Sequence, residues 1–236
     1  MTEILYMTEG CYLKDFDAKV IKIDGNSVLL DRTACYPEGG GQPTDTGILQ
    51  SSRGVAKITF VRKAGDGVFH ELDGPMPEIG ETVHVSIDWD RRYAHMRMHT
   101  AQHLLSGIVY KFFSARTVGN QIYADRSRVD FMPVNFTDED IKRICEEFNA
   151  AVERKVQLKI YMMNREDFEK CEEGERANLH LLPPEIKVLR IVEIPGYDMC
   201  PCAGTHVNSL GELGRIKVLR VERKGKDRYR ISYTLE

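Results

Sequence analysis

Through the first ninety residues, apolar and polar positions alternate in short runs separated by turn residues, the period-two pattern of half-buried strands. DAKVIKIDGNSVLLD (residues 17–31) sets β-branched runs on both sides of Gly25-Asn26. VAKITFVRKAGDGVFHEL (55–72) repeats this around Gly65-Asp66-Gly67, and ETVHVSIDW (81–89) alternates once more. Short strands this closely spaced predict a small β-barrel.

After Asp90 the period changes. RRYAHMRMHTAQHLLSGIVYKFF (91–113) carries Met96, Leu104, Leu105, Ile108, Val109 and Phe112 at helical spacing. A second helix is predicted over DEDIKRICEEFNAAVERK (138–155), opened by the capping-box pattern T-D-E-D at Thr137. Between them, RTVGNQIYADRSRVDFMP (116–133) reads as two strands and a turn. Beyond lie a strand at KIYMMN (159–164), a short acidic helix at REDFEKCEEGE (165–175) and a strand at VLRIVEI (188–194). A loop, MCPCAGTH (199–206), and a hairpin, GRIKVLRVERKGKDRYRISYTL (214–235), complete the chain. The expected class is α+β: an N-terminal small β-barrel over 1–90, then an α+β domain over 91–236.

Composition narrows the function classes. The 236 residues suffice for a real core, and 42% apolar with 29% charged residues is ordinary for a soluble globular protein. A formal net charge of -3 means that any nucleic-acid surface must be a local patch. No stretch approaches the roughly 20 apolar residues of a membrane span, and the acids early in MTEILYMTEG do not suit a secretory signal. A cytoplasmic protein is expected. In a reducing compartment the six cysteines (11, 35, 145, 171, 200 and 202) point to metal binding or burial rather than disulfides.

His99 and His103 stand at i and i+4 on the first predicted helix, so one turn presents both imidazoles on one face. Alone, such a pair is more often a hydrogen-bonded helical feature than a metal site. The protease versions fail, because Thr100 and Gln102 stand where a zincin or inverzincin needs its glutamate. The zinc deaminases fail as well, since Pro201-Cys202 is followed by A-G-T-H instead of x-x-C. Cys202 and His206 repeat the four-residue spacing, with Gly204 allowing a tight turn. Two nitrogens from a helix plus one sulfur and one nitrogen from a loop suit tetrahedral zinc. A Cys200–Cys202 disulfide would be strained, and C-x-C is not the thioredoxin spacing. One zinc ion is the favoured cofactor.

HTAQHLL together with CAGTHV resembles the HxxxH…CxxxH signature of the editing domain of alanyl-tRNA synthetases. YPEGGGQPTDTG (36–47) is similar to the family's glycine-rich motif, and RSRVDF (126–131) fits too. With no aminoacylation segment in the chain, the resemblance is to a free-standing alanyl-tRNA editing protein of medium length. It implies hydrolysis of mischarged tRNA(Ala), chiefly Ser-tRNA(Ala) and in some members Gly-tRNA(Ala), with Ala-tRNA(Ala) spared. It also implies zinc binding by His99, His103, Cys202 and His206, leaving Cys200 as a neighbour.

A preference for serine needs polar groups aimed at its hydroxyl, because an apolar pocket discriminates weakly. Thr100, Thr117, Asn120 and Gln121 lie near the His pair in sequence, and Thr117 stands where the synthetases tend to have Gln. The resemblance also brings Gly39, Gly40, Gly41 and Gln42 towards the substrate, although the same residues read as an ordinary turn. For tRNA, the C-terminal hairpin offers Arg215, Lys217, Arg220, Arg223, Lys224, Lys226, Arg228 and Arg230 against only Glu222 and Asp227. Arg91, Arg92 and Arg97 at the start of the His-bearing helix are expected to guide the acceptor end. Two other readings fit parts of the pattern: a zinc-stabilised RNA-binding module without activity, and a zinc hydrolase of small esters or amides. No general base is identified.

Overall fold

The computed structural model describes residues 2–8, 10–65, 67–177, 179 and 182–236. In it the early alternation becomes six barrel strands: β1 (Asp15–Asp24), β2 (Ser27–Leu30), β3 (Gly47–Ser51), β4 (Gly54–Ala64), β5 (Gly67–Asp73) and β6 (Thr82–Ile87). All pairs are antiparallel, and the sheet closes in the order β1-β2-β5-β4-β3-β6, so none of these strands is left with an open edge. Strand period decides the filling. In β1, Phe16, Ala18 and Val20 are buried while Asp15, Asp17 and Lys19 face solvent, and β6 buries Val83, Val85 and Ile87 in the same way. In β4 the register shifts between Ile58 and Phe60, and the inward set changes phase from Ala56 and Ile58 to Val61, as an inserted residue requires. Strand β3 is an addition to the predicted elements. It is short and buries only Leu49 fully, too little alternation to register in the sequence.

The chain falls into two compact units, Met1–His95 and Met96–Glu236. Helix α1 runs from Trp89 to Phe113. In the second unit its buried stripe is Met96, Ala101, Leu104, Leu105, Ile108 and Val109. Helix α2 (Asp138–Glu153) opens as predicted: the Asp140 amide donates to the Thr137 hydroxyl at 3.2 Å, and the Thr137 amide to the Asp140 carboxylate at 2.8 Å. The strands of the second unit are β7 (Arg116–Ile122), β8 (Ser127–Met132), β9 (Lys159–Asn164), β10 (Val188–Ile194), β11 (Asp198–Pro201), β12 (Ile216–Arg223) and β13 (Tyr229–Leu235). They form a four-stranded sheet, β12-β13-β8-β7, and a three-stranded one, β9-β10-β11.

Two local differences from the pattern-based expectation have physical causes. The acidic stretch makes two short helices, Arg165–Glu169 and Glu172–Arg176, not one. The chain folds back so closely that a Cβ on Gly174 would lie 2.4 Å from the Phe168 carbonyl oxygen. The cysteine loop begins as a strand: β11 pairs with β10, Cys200 facing Val192, and irregular chain starts only at Cys202. Among the described residues, no helix is long and apolar enough to cross a membrane.

Candidate metal centre

Gly107 is what lets the two halves of the site meet. A Cβ there would stand 2.3 Å from the Tyr197 carbonyl oxygen, so the backbone entering β11 lies directly on α1. One turn back on that helix is His103, and a further turn back His99, both buried. Past β11, the Cys202 amide donates to the Arg190 carbonyl of β10 at 3.0 Å. The Arg190 guanidinium then clamps the turn from behind, Nη1 donating to the carbonyls of Cys202 (2.7 Å) and Gly204 (3.0 Å). The Gly204 amide points at the Cys202 sulfur, 3.3 Å away, and the turn delivers His206, fully buried.

Donor atoms of His99, His103, Cys202 and His206 all lie within 4.8 Å of one another. The Cys202 sulfur is 3.6 Å from Nε2 of His99 and 3.3 Å from Nε2 of His206. Ligands about 2.0–2.3 Å from a tetrahedral ion stand roughly 3.3–3.8 Å apart, so the spacing fits a metal. The outer ring nitrogens are held. Nδ1 of His103 lies 3.0 Å from the Asp198 carboxylate and 3.2 Å from the Cys200 sulfur, and Nδ1 of His206 lies 3.1 Å from the Thr100 hydroxyl. Those contacts leave Nε2 of both rings for the cluster. A second group, His103, Asp198 and Cys200, also has donor spacing, but it uses the outer side of the shared ring.

Electrostatics separates the two cysteines. Burial opposes ionisation of Cys202, yet the His99 and His206 imidazoles outweigh it and hold that thiol well below the ordinary range. Burial, reinforced by the Asp198 charge, pushes Cys200 up to about 12. Burial lowers His99 and His206, the direction that favours the neutral ring a metal ligand needs. His103 also meets the burial penalty, but Cys200 and the hydrogen bond to Asp198 overcome it and raise the ring well above the usual histidine value. Of the two thiols, Cys202 is the one whose surroundings favour ionisation. This His/Cys group could hold a metal ion.

The structure distributes the other site expectations unevenly. Thr100 is buried, its hydroxyl taken by His206 and by the Val207 amide at 3.2 Å. Thr117 lies 2.7 Å from the Ser106 hydroxyl, and Asn120 donates to Gln102 at 3.3 Å. Gln121 sits on β7 opposite Arg128. Gly39 and Gln42 exchange backbone hydrogen bonds of 3.1 and 2.9 Å, and the turn needs Gly40 and Gly41 at φ 58° and 85°. Gln42 is buried.

The basic residues need correcting. Arg92 does not face solvent: it is fully buried and bound to the Asp45 carboxylate, with further bonds to the carbonyls of Cys11 (3.2 Å) and Ala34 (2.5 Å). It secures the first unit and has no surface to offer a phosphate. Arg91 reaches the Thr44 carbonyl (3.2 Å), and Arg97 the Leu213 carbonyl (2.5 Å). On the hairpin, Arg228 and Arg230 are held by the buried Asp130 at 2.5 and 2.6 Å. Lys217 pairs with Glu236, Arg215 with Glu153, and both Arg220 and Lys224 with Glu222. Arg223 donates to the carbonyls of Gly225 and Lys226. The surface is therefore less one-sided than its own sequence suggests, because acids from other segments fold onto it. Asp198, Arg190, Ser106 and Asp45 escaped the sequence reading. None has motif spacing. Asp198 reaches His103 where β11 closes on α1 at Gly107, and Arg190 reaches the cysteine turn from the paired strand β10. Ser106 meets Thr117 of β7, and Asp45 meets Arg92 forty-seven residues on.

Known proteins match along the whole chain. A family model described as tRNA synthetases class II (A) covers residues 4–91, and one described as the threonyl and alanyl tRNA synthetase second additional domain covers residues 189–232. The chain is 38% identical over 242 residues to an alanyl-tRNA editing protein AlaX-M of Methanosarcina barkeri, with all of this chain and 99% of that protein aligned. The corresponding protein of Saccharolobus solfataricus is 38% identical over 243 residues, with both chains aligned in full. An alanine–tRNA ligase of Thermococcus kodakarensis is 37% identical over 94% of this chain but only 24% of its own length. With identity of this order along the full length of both partners, the chain belongs to the alanyl-tRNA editing protein family.

Proposed function

We propose that this protein is a trans-editing deacylase. It hydrolyses the ester of mischarged tRNA(Ala), Ser-tRNA(Ala) first and Gly-tRNA(Ala) second, and spares Ala-tRNA(Ala). The observation that carries the reading is the convergence of His99, His103, Cys202 and His206 in a chain aligned end to end with alanyl-tRNA editing proteins. In the reaction, water adds to the ester carbonyl, the bond to the ribose oxygen breaks, and the free amino acid and tRNA leave.

The four side chains would hold one zinc ion, which when bound supplies positive charge able to polarise a carbonyl or acidify water. Asp198 and Thr100 fix the rings of His103 and His206, Arg190 holds the loop that presents Cys202, and Thr117 meets the substrate side chain. The glycine-rich turn Gly39–Gln42 keeps a substrate role in this proposal, resting on the resemblance alone. The chain is read as a barrel domain over 1–90 and an editing domain over 91–236, acting in the cytoplasm. A second reading, a zinc-stabilised RNA-binding module without activity, draws on the ligand count, since four protein ligands are the closed set of structural zinc. Purified protein with Ser-, Gly- and Ala-charged tRNA(Ala), with and without chelator, separates the two. Chelator-sensitive loss of serine is expected, whereas binding without turnover would favour the second reading.

A further inference from the structure

His103 has two ring nitrogens, and the four-ligand group uses only one. On the outer side, Nδ1 lies 3.0 Å from Asp198 Oδ2 and 3.2 Å from the Cys200 sulfur, which is itself 3.4 Å from the same oxygen. Nitrogen, oxygen and sulfur therefore stand in a closed triangle, with His103 and Asp198 buried and Cys200 half-buried. Strand pairing supplies two of its corners. Asp198 stands opposite Ile194 and Cys200 opposite Val192, two residues apart on β11, so both side chains leave the strand on the same face, towards His103. A carboxylate alone is enough to hold the outer nitrogen of a ligating histidine. The sulfur is a third donor, and a soft one, beyond that need.

We propose that His103, Asp198 and Cys200 form a second metal site, for a thiophilic divalent cation such as zinc, joined to the first through the His103 ring. The proposal rests on the reading that His99, His103, Cys202 and His206 hold an ion, and not on the deacylase activity. Donors about 2.0–2.3 Å from a tetrahedral ion stand roughly 3.3–3.8 Å apart, so the triangle closes round an ion with movements of a few tenths of an ångström. Three protein donors leave one position open, and the second ion is held more weakly than the first. Charge balances in the exchange. The hydrogen on Nδ1 of His103 and the thiol hydrogen of Cys200 leave to solvent as protons, two positive charges replaced by two, so burial does not oppose the ion. The approach favours a cation as well. Asp198 and Gly107 line a cavity of about 370 Å³ together with Glu172, Glu173 and Glu193. Lys111 is the one cation among the described residues of its wall, set against four carboxylates.

The test titrates the protein, freed of metal by chelator and checked by thermal unfolding, with cobalt(II) and in parallel with zinc(II). Thiolate-to-cobalt charge-transfer absorption should rise through two equivalents, the first surviving gel filtration and the second lost on it. Cys200→Ser should abolish the second rise and keep the first, with thermal unfolding unchanged; if serine destabilises the strand, Cys200→Ala supplies the same comparison. A titration that stops at one equivalent in the unaltered protein would overturn the second site and leave the first in place. So would a second rise that survives loss of the Cys200 sulfur, which would assign that ion to another surface group. Binding of no equivalent at all would remove the four-ligand reading on which the proposal rests.

Discussion

The Asp198 carboxylate touches both Nδ1 of His103, at 3.0 Å, and the Cys200 sulfur, at 3.4 Å. It belongs to the second of the two candidate donor groups, which share His103. An acceptor on the outer nitrogen of a ligating histidine fixes its tautomer and raises its basicity. Asp198→Ala should weaken zinc binding roughly 10–100-fold with the fold retained, and Asp198→Asn, which can still accept a hydrogen bond, should cost less. Competition against a chromogenic chelator reads this directly. Unaltered affinity in Asp198→Ala would show that the carboxylate does not support the site.

Two cysteines lie near His103, but only one is set up to ionise. Cys202 is held below the ordinary thiol range beside His99 and His206, whereas burial pushes Cys200 up to about 12. Cys202→Ser should abolish stoichiometric zinc, and Cys200→Ser should retain it. Metal analysis after gel filtration decides. The reverse pattern would move the sulfur ligand to the strand.

How much of this could be read beforehand depends on the range of the interaction. Strand alternation in β1 and β6, the Thr137 capping box and the His99/His103 spacing are local and legible. The CxxxH spacing is local too, and family resemblance joined it to the helix. Asp198 could not be found that way. Its approach to His103 rests on a missing Cβ at Gly107, more than ninety residues away in sequence. Arg92 failed in the opposite direction: three arginines before a His pair look like a basic entrance until Asp45, forty-seven residues earlier, buries one of them. The hairpin misled for the same reason, since Asp130 and Glu236 lie outside the stretch being counted.

The Arg92–Asp45 pair makes a claim about stability. The Asp45 carboxylate also accepts from the Tyr36 amide at 2.6 Å, so one acid serves a buried guanidinium and the start of the glycine-rich segment. Removing one member of a buried pair leaves an uncompensated charge and typically costs about 3–5 kcal/mol. Asp45→Asn should therefore lower the urea midpoint of the barrel markedly. A midpoint within experimental error of the unaltered protein would contradict the structural role assigned to Arg92.

His70 gives the barrel an acid limit. Its Nε2 lies 2.8 Å from the Thr33 hydroxyl, and burial lowers its pKa to about 4. The unfolded chain takes up this proton near the ordinary value of about 6.5, so between the two values it binds a proton that the folded barrel refuses. The stabilisation is present in full above about pH 6.5, declines as pH falls, and is gone near pH 4, a change of roughly 3 kcal/mol. His70→Gln, which can still pair with Thr33, should flatten urea midpoints measured between pH 7 and pH 4.5. An equally steep decline in the variant would place the titrating group elsewhere.

The last expectation concerns the tRNA surface. With Arg92 buried, and Arg228 and Arg230 held by Asp130, the residues left to meet phosphate on the hairpin are Arg215, Lys217, Arg220, Arg223, Lys224 and Lys226. Exposed pairs such as Lys217 with Glu236 are worth about 0–1 kcal/mol, so a phosphate can compete for them. The Asp130 cluster is different, because its carboxylate has no exposure and would be left unpaired. Binding of tRNA should weaken with salt at a logarithmic slope of roughly -0.7 to -0.9 per phosphate neutralised. Replacing Lys224 and Lys226 together by Glu should reduce that slope without changing thermal stability. Arg228→Ala should instead lower stability and leave the slope nearly unchanged. A flat salt response in the unaltered protein would remove the hairpin from the interface.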